Sequence, residues 1–223
     1  MVKSPTVKLL APDACATLSH KCATIFVSAA ISMLAASCSS EPRALQGIVR
    51  DSPLHVEEVS LPDVSNTGDG ETPFTMRAAT GELLFVYFGY TSCPDLCPTT
   101  LATWKAALRQ VGDDAARVDT VFVTVDAARD TAEILNGYVG SFVDRYHVLR
   151  TTDPAELQSA LDAFLAAATI ETAADGKVEV SHTTVAYMVD DRGDVIVEWP
   201  LGTNADAMSG DLKILLEDVR QRI

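Results

Sequence analysis

The chain has 223 residues, which suits one domain of ordinary size with a leader and is short for two full domains. Its hydrophobic fraction of 48% is sufficient for a packed core, and its charged fraction of 22% argues against disorder. The formal net charge of -14, from 31 acidic and 17 basic residues, repels phosphate backbones and argues against nucleic acid as a partner. The acidic surface could steer a basic partner protein, although solubility alone explains it.

The first 37 residues have the layout of a bacterial signal peptide. Three lysines precede an uncharged apolar run at residues 23–36, which is shorter than the roughly 20 apolar residues that a membrane span needs. The run ends before Cys38 in a sequence similar to a lipobox, with Ala35 where leucine is usual. We therefore expect removal of residues 1–37, a lipid on Cys38, and anchoring to the outer face of the cytoplasmic membrane. An uncleaved anchor and an ordinary secreted form are the alternatives.

Because this leader is expected to be removed, only some of the five cysteines would remain as thiols in the mature protein. Two of them lie in the predicted signal peptide, and Cys38 would carry the lipid. The mature protein then keeps only Cys93 and Cys97, which are four positions apart. In an oxidising, exported compartment such a pair forms a disulfide, a redox couple or a metal site.

Along the mature chain, residues 38–71 predict a tether and irregular structure, with weak strand candidates at 54–56 and 59–61. Residues 72–223 are predicted to form the domain. Apolar runs predict strands at 83–88, 118–125, 184–189 and 195–199, the last two joined as a hairpin.

Four helices are predicted between and after these strands from apolar positions at helical spacing. Asp130 is expected to cap the second, and Asp153 with Pro154 to begin the third. The expected inward-facing residues are, in chain order, Leu101, Trp104, Leu108 and Val111; Ile134, Leu135, Tyr138, Phe142 and Val143; Leu157, Leu161, Phe164 and Leu165; and Met208, Leu212, Leu215, Leu216 and Val219. This order predicts an α/β protein with a mixed sheet between helices, thioredoxin-like with one inserted helix.

The two cysteines occur in the segment Cys-Pro-Asp-Leu-Cys-Pro, where a predicted buried strand gives way to a helix. Residues four apart lie on one face of a helix, so both sulfurs can approach one object. The positive end of the helix dipole favours thiolates. Such a pair suits a soft metal such as Cu(I), or reversible disulfide chemistry. An inert disulfide is a third possibility, but so short a loop would restrain the unfolded chain little.

Three segments resemble the SCO/SenC family of copper chaperones. Residues 88–101 (FGYTSCPDLCPTTL) are similar to the family's cysteine signature, and residues 125–131 (VDAARDT) to its Val-Asp-Pro-x-Arg-Asp-Thr segment, with Ala127 in place of proline. Residues 180–184 (VSHTT) resemble the loop that bears the family's histidine ligand. The similarity covers residues 74–199 and implies a thioredoxin-like fold.

The resemblance also implies a ligand set and a function. One copper ion, Cu(I) or Cu(II), is expected to bind Cys93, Cys97 and His182, for delivery to the Cu(A) centre of cytochrome c oxidase. Asp126 is expected to support the site, although a turn carboxylate is an equal alternative, and Asp95 is either a partner contact or a solvated loop residue.

The remaining histidines and the methionines give no such indication. His55 and His147 lack a matching context and are interpreted as structural, and His20 lies in the leader. The five methionines are not clustered, so a thioether copper store is not indicated.

The resemblance favours a metallochaperone over a turnover enzyme, and two enzymatic functions are the alternatives. A thiol–disulfide oxidoreductase that reduces the cysteines of the copper-receiving partner would use the same two thiols. A peroxiredoxin-like peroxidase is disfavoured, because three residues separate the cysteines and no Pro-x-x-x-Thr-x-x-Cys motif precedes them.

Overall fold

The computed structural model describes residues 44–65 and 72–222. The predicted signal peptide and Cys38 lie outside these residues and stay predictions. None of the helices in the described ranges is both long and apolar enough to cross a membrane. In chain order the elements are β1 Leu54–His55, β2 Ser60–Asp63, β3 Thr72–Thr75, β4 Leu83–Gly89, α1 Leu96–Val111, a 3-10 helix Gly112–Arg117, β5 Val118–Thr124, α2 Ala132–Gly140, β6 Tyr146–Leu149, α3 Pro154–Ala163, β7 Ala168–Thr172, β8 Val178–His182, β9 Ala186–Val189, β10 Asp194–Trp199 and α4 Ala205–Gln221.

One mixed sheet organises the described residues, with its strands in the order β1-β10-β9-β4-β5-β6-β2-β3. Strands β4, β5 and β6 are parallel because helices connect them, whereas β9 and β10 continue the sheet antiparallel from the other side of β4. Strands β1 and β2 come from the segment before residue 72, and they pair with β10 and β6. Strands β7 and β8 form a separate two-stranded ribbon.

Helices cover both faces of this sheet, and the side chains of the central strand β4 pack against the helices on both sides. Its side chains alternate, so that Phe85 and Tyr87 join the core with α1, α2 and α4, while Val86 and Phe88 join the core with α3. Every residue of β4 is buried, as the continuous apolar run predicts for a strand covered on both sides. The mixed sheet between helices confirms the predicted thioredoxin-like α/β fold.

Several predicted elements are confirmed in detail. The Asp153 side chain accepts a hydrogen bond from the Ala155 N–H at the start of α3, with Pro154 at the first helical position. Strands β9 and β10 form the expected hairpin, whose turn contains Gly193 at a φ of 78°. The five residues predicted to face inward on α4 are all buried.

The prediction that Asp130 caps α2 is wrong. Thr131 is the N-cap residue, and its side chain accepts a hydrogen bond from the Ile134 N–H. Asp130 is fully buried instead, and its carboxylate accepts hydrogen bonds from Thr91 and Thr124. A threonine and an aspartate are both good caps, so the sequence did not decide between two adjacent candidates.

Two residues predicted to face inward are exposed. Ile134 is 47% exposed because it lies in the outward first turn of α2, and Val139 is buried on that helix instead. Leu165 is 63% exposed because α3 ends at Ala163, and the backbone then turns through a left-handed conformation with Leu165 at a φ of 51°.

Strands β3, β6, β7 and β8 were not predicted. Tyr146 and His147 at the start of β6 are only partly buried, so this short strand has no continuous apolar run. The ribbon β7–β8 lies outside the main sheet, and its residues are exposed or partly buried. Strand β8 does alternate, with Val178 and Val180 partly buried and Glu179 and Ser181 exposed, but five residues without a fully buried position give only a weak strand signal.

Candidate metal centre

Cys93 and Cys97 lie where β4 passes into α1. Cys93 belongs to the connecting loop and Cys97 to the first turn of the helix. Gly89 at the end of β4 makes room for them, since a Cβ atom there would lie 2.9 Å from the Phe122 ring and 3.1 Å from the Cys97 Sγ. Any larger residue at this position would press on the sulfur.

The three residues that the sequence singles out converge in space. The Cys93 Sγ, the Cys97 Sγ and one ring nitrogen of His182 all lie within 4.8 Å of one another. His182 Nε2 is 3.6 Å from the Cys97 Sγ. Two ligands about 2.0–2.3 Å from one metal ion and about 120° apart are separated by about 3.7 Å, so the spacing of this pair fits a shared ion. Within residues 44–65 and 72–222, no other group of three histidine, cysteine or acidic residues comes together in this way.

The two thiols are free and differ in their acidity. Burial raises the pKa of Cys93, but hydrogen bonds from the backbone N–H groups of Cys97, Asp95 and Leu96 outweigh it, and the pKa falls below its ordinary value. One of these contacts joins the Cys97 N–H to the Cys93 Sγ over 3.4 Å. Burial raises the pKa of Cys97 to about 12. Cys93 is therefore the nucleophilic thiol of the pair, and Cys97 is protonated at neutral pH when no metal is bound.

His182 presents an unprotonated nitrogen to the centre. Its Nδ1 is 2.8 Å from the carbonyl oxygen of Thr183, which can only accept, so Nδ1 carries the proton and donates it. Burial lowers the pKa of His182, which keeps the ring neutral at pH 7. The lone pair of Nε2 then points toward Cys97, as a metal ligand requires.

Two tyrosine rings form the wall around these ligands. The buried Tyr87 has its hydroxyl 3.9 Å from the Cys97 Sγ, and burial raises the pKa of this phenol, so it stays protonated and donates to the sulfur. The rings of Tyr87 and Tyr90 meet the His182 ring edge-on at centroid distances of 6.1 and 5.8 Å. Aromatic walls exclude water, which strengthens the electrostatic interactions inside the centre.

Asp126 lies outside the group of three converging ligand atoms. It is 1% exposed, and the guanidinium of Arg129 binds its carboxylate. Its backbone carbonyl accepts from the N–H groups of Arg129 and Asp130, so it also organises the turn after β5. Asp95 is exposed and makes no side-chain cap on α1.

The other two histidines of the described residues are bound by carboxylates elsewhere. His147 Nδ1 lies 2.7 Å from an oxygen of Asp63, and His55 Nδ1 lies 2.5 Å from an oxygen of Asp194. Both contacts agree with the structural role predicted for these two histidines.

Residues that shape the centre without being candidate ligands were missed. The buried Asp130 holds the loop before Cys93, since it accepts from the N–H of Thr91 at 3.1 Å and from its hydroxyl at 2.5 Å. Tyr90 and Asp130 both lie in the segments that resemble the SCO/SenC family, so their position in those segments was an available signal. A pairing between two loops 39 residues apart had no local pattern that could reveal it.

The chain matches a family of known proteins. The SCO1/SenC family model matches residues 64–217. The protein SenC of Rhodobacter capsulatus is 32% identical over 130 residues, which cover 54% of this chain and 58% of SenC. An SCO2-like protein of Rickettsia typhi is 29% identical over 134 residues, which cover 59% of this chain and 66% of that protein. The matched part of the chain thus spans less than two thirds of these relatives.

Among solved structures, the copper-bound ScoI of Bradyrhizobium japonicum is 30% identical to this chain. The two superpose with a TM-score of 0.59, covering 76% of this chain and 98% of ScoI. The family match covers well over half of the chain and contains all three converging side chains. The chain belongs to the SCO1/SenC family.

Proposed function

We propose that this protein is an extracytoplasmic copper chaperone that delivers copper to the Cu(A) centre of cytochrome c oxidase. The observation that carries the proposal is the convergence of two thiol sulfurs and one imidazole nitrogen within 4.8 Å. Family membership supports it, and so does the similarity to a ScoI structure with copper bound. The oxidase is the recipient that the SCO/SenC resemblance implies.

The chemistry of the three donors suits copper as cargo. Thiolate sulfur is a soft ligand that favours Cu(I), and neutral imidazole binds both oxidation states, so Cys93, Cys97 and His182 could accept Cu(I) or Cu(II). The Nδ1–H of His182 is already donated to a backbone carbonyl, which fixes the ring with Nε2 free.

Exposure of the ligands supports a route for transfer by ligand exchange. Cys93 is 8% exposed, whereas Cys97 is completely buried. A thiolate of the recipient would therefore attack the copper ion from the side of Cys93 and displace that ligand first. The copper ion keeps its oxidation state, each incoming thiolate replaces one outgoing thiolate, and Cys97 takes up a proton on release.

A thiol–disulfide oxidoreductase is the second candidate, and the unequal thiols favour it. The more acidic and slightly exposed Cys93 could attack a disulfide of the partner, and Cys97 could then resolve the mixed disulfide. This reaction oxidises the pair to a disulfide and reduces the partner's two cysteines. It needs no imidazole at the position of His182, so this residue separates the two functions.

The test uses the full chain with the three N-terminal cysteines replaced by serine, so that Cys93 and Cys97 are the remaining thiols. Copper stoichiometry against a competing chelator and a thiol redox titration are measured for this parent, Cys93→Ser, Cys97→Ser and His182→Ala. A chaperone requires that His182→Ala weakens copper retention strongly and leaves the dithiol oxidisable, while each serine variant loses both properties. Undiminished copper retention in His182→Ala would contradict the three-ligand site and favour the oxidoreductase.

The lipid anchor at Cys38 is a separate part of the proposal. The apolar run before Cys38 and the lipobox-like residues support it. In a bacterial host, the native chain is expected to fractionate with membranes and to begin at a lipidated Cys38, and Cys38→Ser is expected to block the modification. Mass spectrometry of the native N-terminus tests this, and an unmodified Cys38 would overturn the anchor without affecting the copper site.

A further inference from the structure

Arg129 contacts the ring of Tyr90, which in turn contacts the proposed copper ligand His182. Its side chain is 35% exposed and forms an ion pair with the buried carboxylate of Asp126. Within the described residues its Nη2 atom is buried without a hydrogen-bond partner. The guanidinium lies over the face of the Tyr90 ring, 5.8 Å from the centroid, which is within the range of a cation–π contact.

Tyr90 connects this cation to the proposed ligands. Its ring stands at 90° to the His182 ring with centroids 5.8 Å apart. The Cys93 N–H donates to the carbonyl oxygen of Tyr90, so the same residue also touches the backbone of the first cysteine. Tyr90 thus lies between Arg129 on one side and the histidine and cysteine on the other.

The geometry points to Arg129 as a positioning residue that acts on the copper site through the Tyr90 ring. The buried Asp126 carboxylate fixes the guanidinium, the guanidinium fixes the ring, and the ring holds the His182 imidazole with Nε2 toward the sulfurs. This inference rests on the proposed copper function and assigns a structural reason to the Asp126–Arg129 pair. Groups that orient metal ligands in this way typically change metal affinity about 10–100-fold when they are removed.

The first test measures Cu(I) affinity by chelator competition in the same serine background. Arg129→Met is expected to weaken binding about tenfold or more, and Arg129→Lys to restore part of the loss because it keeps the cation. Tyr90→Phe keeps the ring but removes the hydroxyl that approaches the Cys93 thiol, so it is expected to lose less affinity than Tyr90→Leu, which is expected to resemble Arg129→Met. The matched control is Arg50→Met, since Arg50 is 37% exposed and also pairs with a buried carboxylate, that of Glu198, away from the site.

The double variant Tyr90→Leu, Arg129→Met tests the path of the effect. If Arg129 acts through the ring, its removal costs nothing more once Tyr90 is leucine, so the two losses are not additive. Additive losses, or an Arg129→Met affinity equal to that of the parent, would overturn the proposal. The absorption bands of the thiolate–Cu(II) complex give a second readout and are expected to shift in Arg129→Met but not in Arg50→Met.

A metal-free measurement separates this inference from the copper function. In the reduced protein without copper, NMR signals of the His182 ring protons report on the neighbouring Tyr90 ring. They are expected to shift in Arg129→Met and in Tyr90→Leu, and to stay unchanged in Arg50→Met. Unchanged His182 signals in Arg129→Met would overturn the positioning role. A parent that holds no copper but shows these shifts would overturn the proposed function alone.

Discussion

The two thiols of the proposed centre belong to the buried core of the domain, whereas the histidine belongs to a two-stranded ribbon outside the main sheet. Cys97 is completely buried at the start of α1, which packs on the central sheet and on α4. His182 ends β8, and within the described residues that strand pairs only with β7, in a ribbon whose residues are exposed or partly buried. Backbone and side-chain hydrogen bonds between Ala167 and Thr183 close the base of the ribbon next to His182.

This difference assigns different tasks to the two regions. The thiols are held by the core of the fold, so their spacing depends on the stability of the whole domain. The histidine is held by its contacts with two tyrosine rings and one carbonyl group. We therefore expect substitutions in the core to lower the stability of the domain most. Substitutions where the core meets the proposed metal centre should weaken metal binding as well, and substitutions in the ribbon should change stability little.

The largest effect on stability is expected from Trp104→Ala, in the buried face of α1, the helix that also contains Cys97. Trp104 is completely buried, stacks on Phe85 at 4.1 Å and donates a hydrogen bond to Thr120. Truncation of such a side chain costs about 3–5 kcal/mol of the free energy of unfolding. Chemical denaturation of the copper-free protein measures it, and a loss below about 1 kcal/mol would show that the core does not hold the thiol region.

Gly89→Ala tests the boundary between the core and the site. The added methyl group would meet the Phe122 ring and the Cys97 sulfur, so we expect a loss of about 1–3 kcal/mol in stability together with weaker copper binding. Gly137→Ala is the matched control. A Cβ atom at Gly137 on α2 meets no atom within 4 Å, and alanine in a helix is favoured by about 0.5–1 kcal/mol. Equal effects of the two substitutions would contradict the close packing around the sulfur.

The pH dependence of copper binding tests the buried thiol. The pKa of Cys97 without metal is about 12, so this thiol loses its proton when copper binds at pH 6–8. Affinity should therefore rise with pH, by about tenfold per pH unit from this proton alone. Chelator competition across this range, with the chelator's own protonation corrected, measures the slope. A flat profile would show that Cys97 is not a thiolate ligand.

The difference between the buried core and the β7–β8 ribbon also explains which features could be predicted from the sequence. The run Leu83–Phe88 predicted a strand buried on both faces, and the spacing of apolar residues on α4 predicted its buried face, because packing in the core imposes a period on the sequence. The dithiol followed from two cysteines at the end of that strand. These features are local, so a single sequence contains them.

His182 as a partner of the cysteines came from the family resemblance, because it lies 85 residues from Cys97 in the chain. The ribbon that carries it has no fully buried residue, and the alternation in β8 extends over only five residues, so it was a weak signal. The contacts of Arg129 with Tyr90 and of Asp130 with Thr91 join separate loops, and loop pairing depends on the folded arrangement of the sheet. Asp130 was misassigned as a cap because the adjacent Thr131 is an equally good cap residue.

The smallest effect is expected from Ile170→Ala on the ribbon strand β7. Ile170 is 49% exposed, and substitutions at such positions usually change the free energy of unfolding by no more than about 0.5 kcal/mol. Leu84→Ala on β4 is the matched control, because Leu84 is 2% exposed and its truncation should cost about 2–5 kcal/mol. Hydrogen exchange of the same proteins should find faster exchange at the ribbon amides than in β4, since the ribbon has few buried contacts and can open without global unfolding. Equal protection of the two regions, or a loss above about 1 kcal/mol for Ile170→Ala, would show that the ribbon is part of the cooperative core after all.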